Sequence, residues 1–300
     1  MLRSASPEVS VIICTYNTRD LTCECLDKLK KSIEILGKPV ETIVVENGTD
    51  GTGVVIKKKY PWVKLLTPTE NTGFAKGNNL GIKASSKKTK YYLFLNTDAL
   101  IAPETLYKAI DFMENNENCD VLGCKLKFGD GRIQPSAGYL PNPVNTTLWM
   151  FGLDRFSKNP VHPKDKNFFK TDRKVGWVMG AFLFMKQGVL EKTKGFDETF
   201  FMYMEEVEWC RRINDKGFGI WYSPTFEITH LDKASSGYDI RKPLTREIQG
   251  LKYYLKRYYT NYDLIMKIVI LVGVTARWLC FGLKGDRERS GIYRDILGVI

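Results

Sequence analysis

Short runs of β-branched and aliphatic residues alternate with longer stretches of helical periodicity through the first 120 residues. Val9–Thr15 is such a run and ends in Tyr16-Asn17; a helical pattern follows from about residue 20 to Leu36. Val40–Glu46 predicts a second strand, with turn residues over Asn47–Gly53. Trp62–Thr67 predicts a third strand and Gly73–Ser85 a helix. Tyr91–Leu95 predicts a fourth strand ending in Asn96-Thr97-Asp98, and Pro103 opens a helix to about Asn115. Strands alternating with helices of this length predict βαβ units and an α/β class with a mostly parallel sheet.

The pattern loosens after Val121. Residues 129–174 are rich in Gly, Pro, Asn, Asp and Lys and predict a long loop region. Beyond it come a strand over Trp177–Lys186, a helix over Met204–Lys216 and a short strand at Gly219–Tyr222, with helix from Arg241 to the end. The organisation expected is a first half at 8–128, a second half of the same domain at 129–238, and a helical tail at 239–300.

Ligands of open α/β sheets bind at the carboxyl ends of the strands. Here four such ends are polar: Thr15-Tyr16-Asn17, Glu46-Asn47, Glu70-Asn71-Thr72-Gly73 and Asn96-Thr97-Asp98. Together they describe a partly acidic crevice suited to a nucleotide-containing ligand. The glycine-rich run Gly48–Gly53 follows the second strand without the GxGxxG order, and no GxxxxGK[ST] run occurs. A diphosphate there would call for a cation, and Asn96 and Asp98 offer hard oxygen ligands suited to Mg²⁺ or Mn²⁺.

Charge and cysteines narrow the class. The net charge is +11, yet residues 241–300 alone hold 12 basic and five acidic side chains, so most of the excess belongs to the tail. That placement argues against a nucleic-acid-binding surface. The seven cysteines are irregularly spaced without a CxxC pair, which predicts reduced thiols in a cytoplasmic setting; Met1–Glu8 is short and polar, unlike a cleavable signal. In the tail, tyrosines 253, 254, 258, 259 and 262 interleave with Lys252, Lys256 and Arg257, and Leu264–Leu283 is apolar apart from Lys267, Arg277 and a few small residues. Three placements are open to that stretch: in the headgroup layer of an anionic membrane, across the bilayer, or in the core.

The ordered segments SVIICTYN (Ser10–Asn17), VVENGTDGT (Val44–Thr52), NTGFAKGNNLGI (Asn71–Ile82) and LFLNTD (Leu93–Asp98) resemble the motifs of family 2 glycosyltransferases, nearest the rhamnosyltransferase-like branch. GWVMGAFLFMK (Gly176–Lys186), GFDETFFMYMEEVEWCRR (Gly195–Arg212) and His230 extend the resemblance over about residues 8–235. It implies a GT-A fold with a mostly parallel sheet, helices on both faces and a C-terminal helical tail. It also implies a nucleoside-diphosphate-sugar donor, a divalent metal and inversion at the anomeric carbon.

The resemblance sets Thr15, Tyr16 and Asn17 beside the base and ribose, and Glu46 where the base is received. It sets Asn71, Gly73, Phe74 and Asn79 along the donor, and Asn96 and Asp98 at the diphosphate. Trp177, Gly180 and Ala181 border sugar and acceptor, Glu206 stands as general base after Glu205, and Asp98 with His230 holds the metal. Glutamate replaces the family's aspartate at 46, 206 and 208, and Asn96 replaces an acid in many members.

Each residue also has a plain reading. The glutamates at 205, 206 and 208 suit a helix N-terminus. Asp98 could cap the next helix, His230 could be structural, and Trp177 could be core. The expectation is an inverting hexosyltransferase acting on a saccharide acceptor, lipid-linked if the tail is membrane-bound, at the cytoplasmic face of the membrane in glycan assembly. A sugar-phosphate nucleotidyltransferase and a non-catalytic sugar-binding module are the alternatives.

Overall fold

The structure is a computed structural model and describes residues 6–231 and 240–300. The expected boundary between 238 and 239 lies outside the described residues. In chain order the elements are β1 (Val9–Thr15), α1 (Arg19–Leu36), β2 (Val40–Glu46), α2 (Thr52–Lys59), β3 (Val63–Leu66), α3 (Gly73–Ala84), β4 (Tyr91–Leu95), β5 (Ala99–Leu100) and α4 (Thr105–Asn115). There follow β6 (Val121–Lys127), β7 (Ile133–Gln134), β8 (Ala137–Gly138), α5 (Pro143–Met150), β9 (Arg173–Lys174), β10 (Trp177–Val178), β11 (Phe182–Lys186), α6 (Gln187–Thr193), α7 (Glu205–Asp215) and β12 (Ile220–His230). Helices α8 (Arg241–Tyr258), α9 (Asp263–Leu283) and α10 (Arg287–Leu297) complete the chain.

The main sheet runs β3-β2-β1-β4-β11-β6-β12-β5. Strands β1 to β4 pair in parallel, so their carboxyl ends share one edge, as the four polar termini imply. β11 enters antiparallel between β4 and β6, and β6 pairs in parallel with β12. Alternation along β1 divides the core. Val9, Val11 and Ile13 meet the buried Cys25, Leu26 and Leu29 of α1 in one cluster. On the other face α3 approaches closely, because a side chain at Gly77 or Gly81 would collide with Cys14 or Ile12.

Four elements depart from expectation, each for a local reason. The strand expected over 177–186 is broken, leaving Met179-Gly180-Ala181 as a connector between β10 and β11. β12 extends to His230 instead of stopping at Tyr222, because its register shifts between Ser223 and Glu227 and pairing with β6 then resumes. A helix, α2, follows the turn at 47–53, its first turn met by the Glu46 carboxylate, which accepts the Gly53 N–H at 2.7 Å. The stretch 129–174 is not a plain loop: Asn142 and Asn145 form reciprocal caps that start α5, with Pro143 at its first turn.

The chain divides into two compact units: residues up to 137 with 165–231, and 138–164 with the C-terminal helices. Residues 138–164 cluster with the C-terminal helices. The reason is packing: Gly273 of α9 lies against Met150 of α5, and the Arg277 guanidinium donates to the Trp149 carbonyl at 2.6 Å.

Candidate active site

The edge where β1, β2 and β4 end gathers most of the expected residues. Asp98 follows β4 by three positions, and His230 ends β12. Pairing of His230 with Ala99, with the Leu231 N–H donating to the Asp98 carbonyl at 2.9 Å, sets the two side by side. His230 Nε2 stands 3.2 Å from Asp98 Oδ1, with both side chains over nine-tenths buried. On the far side of the ring, His230 Nδ1 meets Gln134 Oε1 at 2.9 Å. Asp98 caps no helix, since α4 begins at Thr105 after Glu104.

The donor set fits a divalent cation. Two ligands ~2.1 Å from one octahedral ion and at a right angle are ~3.0 Å apart, close to the separation of these two atoms. Asn96 Oδ1 is buried with no hydrogen-bond partner, a further hard oxygen at the same turn. Among the described residues no group of three His, Cys, Asp or Glu side chains that could hold a metal ion gathers, so a cation at this turn would meet few protein ligands. Mg²⁺ sites are commonly of this kind, with substrate phosphates and water filling the shell.

Glu206 reaches this edge from α7. A Cβ added at Gly180 would lie 3.9 Å from Glu206 Cβ and 3.5 Å from the Phe74 ring. The neighbouring Ala181 carbonyl accepts the Asn96 N–H at 3.1 Å. Since adjacent Cα atoms are ~3.8 Å apart, Glu206 and the Asn96–Asp98 turn flank the same two residues and are not on opposite sides of the molecule. Helix α7 is anchored by aromatic packing: Trp209 lies 4.4 Å from Phe196 and 5.3 Å from Phe94 between ring centroids, and its indole N–H donates to Thr193 at 2.7 Å. Just before the helix, Tyr203 and Met204 take consecutive left-handed conformations, φ 74° and 72°. Such backbone is costly for residues with a Cβ and occurs where surrounding structure enforces it.

Other expected residues hold the crevice together. Thr15 is buried and its hydroxyl bonds to Thr18 and Thr22 at 3.0 and 2.9 Å, while Thr18 reaches Thr97 at 3.2 Å. Asn17, in the left-handed region at φ 51°, accepts the Thr49 N–H at 2.8 Å. Asn71 accepts the Gly73 N–H at 2.9 Å. Gly73 has φ +75° and leaves no room for a side chain beside the Phe201 carbonyl. Asn79 grips the Phe196 backbone through both amide atoms, at 2.9 and 3.0 Å. Trp177 and Ala181 are buried, as is Glu205. Tyr16 alone of the first motif presents an exposed ring, suited to stacking.

Glu208 is fully buried and is clasped by Arg212, whose Nη2 lies 2.8 Å from Oε2 and which also donates to the carbonyls of Thr193 and Gly195. Two contributors were given no role of their own by the sequence reading. Asn47 ties β1, β2 and α3 together, donating to the Gly73 carbonyl and accepting from Thr72. Its position beside Glu46 at a strand end was the available signal. Gln134 gave none.

A model of the family described as "Glycosyl transferase family 2" matches residues 10–206. The chain belongs to glycosyltransferase family 2. An N-acetylglucosaminyl-diphospho-decaprenol L-rhamnosyltransferase of Mycobacterium tuberculosis is 26% identical over 214 residues, 67% of this chain and 70% of that protein. Rhamnosyltransferase WbbL of Escherichia coli is 24% identical, over 53% of this chain and 60% of its own. Among solved structures, the mannosyltransferase PcManGT of Pyrobaculum calidifontis, in complex with GDP-Man and Mn²⁺, superposes with a TM-score of 0.57 at 17% identity. That superposition covers 98% of this chain and 86% of that one, and the shared fold is GT-A.

Proposed function

We propose that the chain is an inverting, metal-dependent hexosyltransferase that moves a sugar from a nucleoside diphosphate, dTDP-rhamnose or a UDP-sugar, to a hydroxyl of a lipid-linked saccharide. One observation carries this: Glu206 lies against Gly180 while Asn96, two residues before the Asp98 that pairs with His230, bonds to the next residue, Ala181, which supports a leaving-group site and a base in one crevice. In this reading Glu206 takes the proton of the acceptor hydroxyl, whose oxygen attacks the anomeric carbon. The bond to diphosphate breaks, and the electron pair leaves with the phosphate. A bound Mg²⁺ or Mn²⁺, held by Asp98 and His230, supplies Lewis-acid stabilisation of that charge. Tyr16 offers a face for the base and Phe74 a wall for the sugar.

The decaprenol-linked substrate named for the mycobacterial relative supports a lipid-linked acceptor. The C-terminal unit supports work at a membrane surface. α9 buries Met266, Ile270, Gly273 and Val274 on one side and exposes Leu264, Ile268, Leu271, Leu279 and Leu283 on others. A helix with one apolar side packed and another exposed, next to basic residues, suits the headgroup layer at the cytoplasmic face.

Donor turnover tests the reading: dTDP-rhamnose, UDP-sugars and GDP-mannose with Mn²⁺, in wild type and Glu206→Gln. The expected result is one preferred donor, a fall in turnover of about 10²–10⁴-fold in the variant, and unchanged nucleotide binding. Wild-type activity in Glu206→Gln would overturn it.

A further inference from the structure

Asn79 lies on α3 and Phe196 on the turn between α6 and α7, 117 residues further on, yet the Asn79 amide pairs with the Phe196 backbone as one strand pairs with another. Oδ1 accepts the Phe196 N–H at 3.0 Å, and Nδ2 donates to the Phe196 carbonyl at 2.9 Å. Nδ2 also donates to Glu198 Oε1 at 3.0 Å. A side-chain amide has two N–H donors and an oxygen with two lone pairs, so both donors and one lone pair are already committed within the protein. Gly195 is shaped to this contact: its φ is +87°, and a Cβ there would lie 2.6 Å from Asn79 Oδ1.

The turn held in this way grips α7 twice. The buried Phe196 ring lies 4.4 Å from that of Trp209 between centroids, and Arg212 donates to the Gly195 carbonyl at 2.6 Å. The same ring meets Phe94 of β4 at 5.2 Å and Phe74 of α3 at 5.8 Å. Residues three apart on a helix are neighbours on its surface, so the hold on Trp209 fixes the rotation of α7 at Glu206. Phe74, whose ring faces Gly180, belongs to the same helix as Asn79. One helix therefore sets both a wall of the crevice and the element that carries the base.

We infer that Asn79 is a positioning residue for Glu206, acting through Phe196, and not a ligand of the donor. The inference rests on Glu206 as the base of the proposed function. Leucine and aspartate match asparagine in size but cannot make both backbone bonds. Without them the turn and α7 shift against α3, and misplacement of a reacting group by ~1 Å costs ~100-fold in rate.

Three measurements on the full chain test it. The first is a double-mutant cycle on single-turnover cleavage of dTDP-rhamnose, a UDP-sugar or GDP-mannose with Mn²⁺. Asn79→Leu should slow cleavage ~10–100-fold in the wild-type background and by less than about threefold in Glu206→Gln, because residues that act as a unit are not additive. Equal losses in both backgrounds would overturn the inference. The second is the affinity for dTDP, UDP or GDP with Mn²⁺, which Asn79→Leu should leave unchanged; a loss of about tenfold, as for a group that touches the donor, would overturn it.

The third holds even if Asn79→Leu fails to fold. Asn79→Asp keeps the acceptor for the Phe196 N–H but sets a carboxylate against Glu198. Adding Glu198→Gln should restore part of the lost rate, and no recovery would overturn the coupling through this turn. A wild type that cleaves none of the donors, or a Glu206→Gln as active as wild type, would overturn the proposed function and this inference with it.

Discussion

Burial raises the pKa of the thiols of Cys14, Cys119 and Cys210 to about 12, and those of Cys25 and Cys124 are raised as well. Because thiolate is the reactive form, these five stay protonated and inert at pH 8. Cys280 is exposed and Cys23 half-buried. Titration of the native chain with a disulfide reagent at pH 8 should therefore show two fast thiols at most, and all seven after denaturation. Glu208 and Arg212 give a second residue-level expectation. Removing Arg212 strands the fully buried Glu208 carboxylate, at a cost of ~3–5 kcal/mol. Removing Glu208 takes the ion-pair partner from a partly exposed Arg212 that keeps its two carbonyls, and costs less. In urea unfolding, Arg212→Met should be strongly destabilising and Glu208→Gln less so, and Glu208→Leu with Arg212→Met should lose much less than the sum.

Among the elements, α6 ends with Lys194 exposed and left-handed at φ 68°. Glycine carries no Cβ penalty there. Lys194→Gly should stabilise the chain by ~0.5–1 kcal/mol, read as a rise in the urea midpoint; a fall would show that the lysine stem is needed. The parallel half of the fold was legible because β1 to β4 are short runs rich in β-branched, aliphatic and aromatic residues between turn residues. The same regularity exposed Asp98, which sits at a strand end. α5 and the long reach of β12 were not legible, since a paired asparagine cap is a short signal and a register shift leaves no periodicity. Glu46, Asn71 and Asn79 matched motif positions, but a motif does not distinguish a group facing the ligand from one bracing the loop that does. Gln134 was invisible because its partner comes from a distant strand.

For the whole molecule, the surplus positive charge follows the unit built from residues 138–164 and the C-terminal helices. Binding to a bilayer through that unit should combine an apolar and an ionic part. Co-sedimentation with phosphatidylglycerol vesicles should be strong at low salt, weaken as salt screens the surface charge, and fall further in Leu264→Lys with Ile268→Lys. Binding indifferent to those substitutions would exclude α9 as the contact. Phosphatidylcholine vesicles should recruit less.

β12 starts beside Val121 at Ile220 and finishes against Ala99 at His230, skipping register once on the way. The irregular stretch between Ser223 and Glu227, with Pro224 inside it, therefore works as a spacer of fixed length. Removing one residue from it would flip every side chain beyond to the opposite face, turning the imidazole away from its carboxylate while leaving the strand paired. The length of this segment therefore decides which way His230 faces.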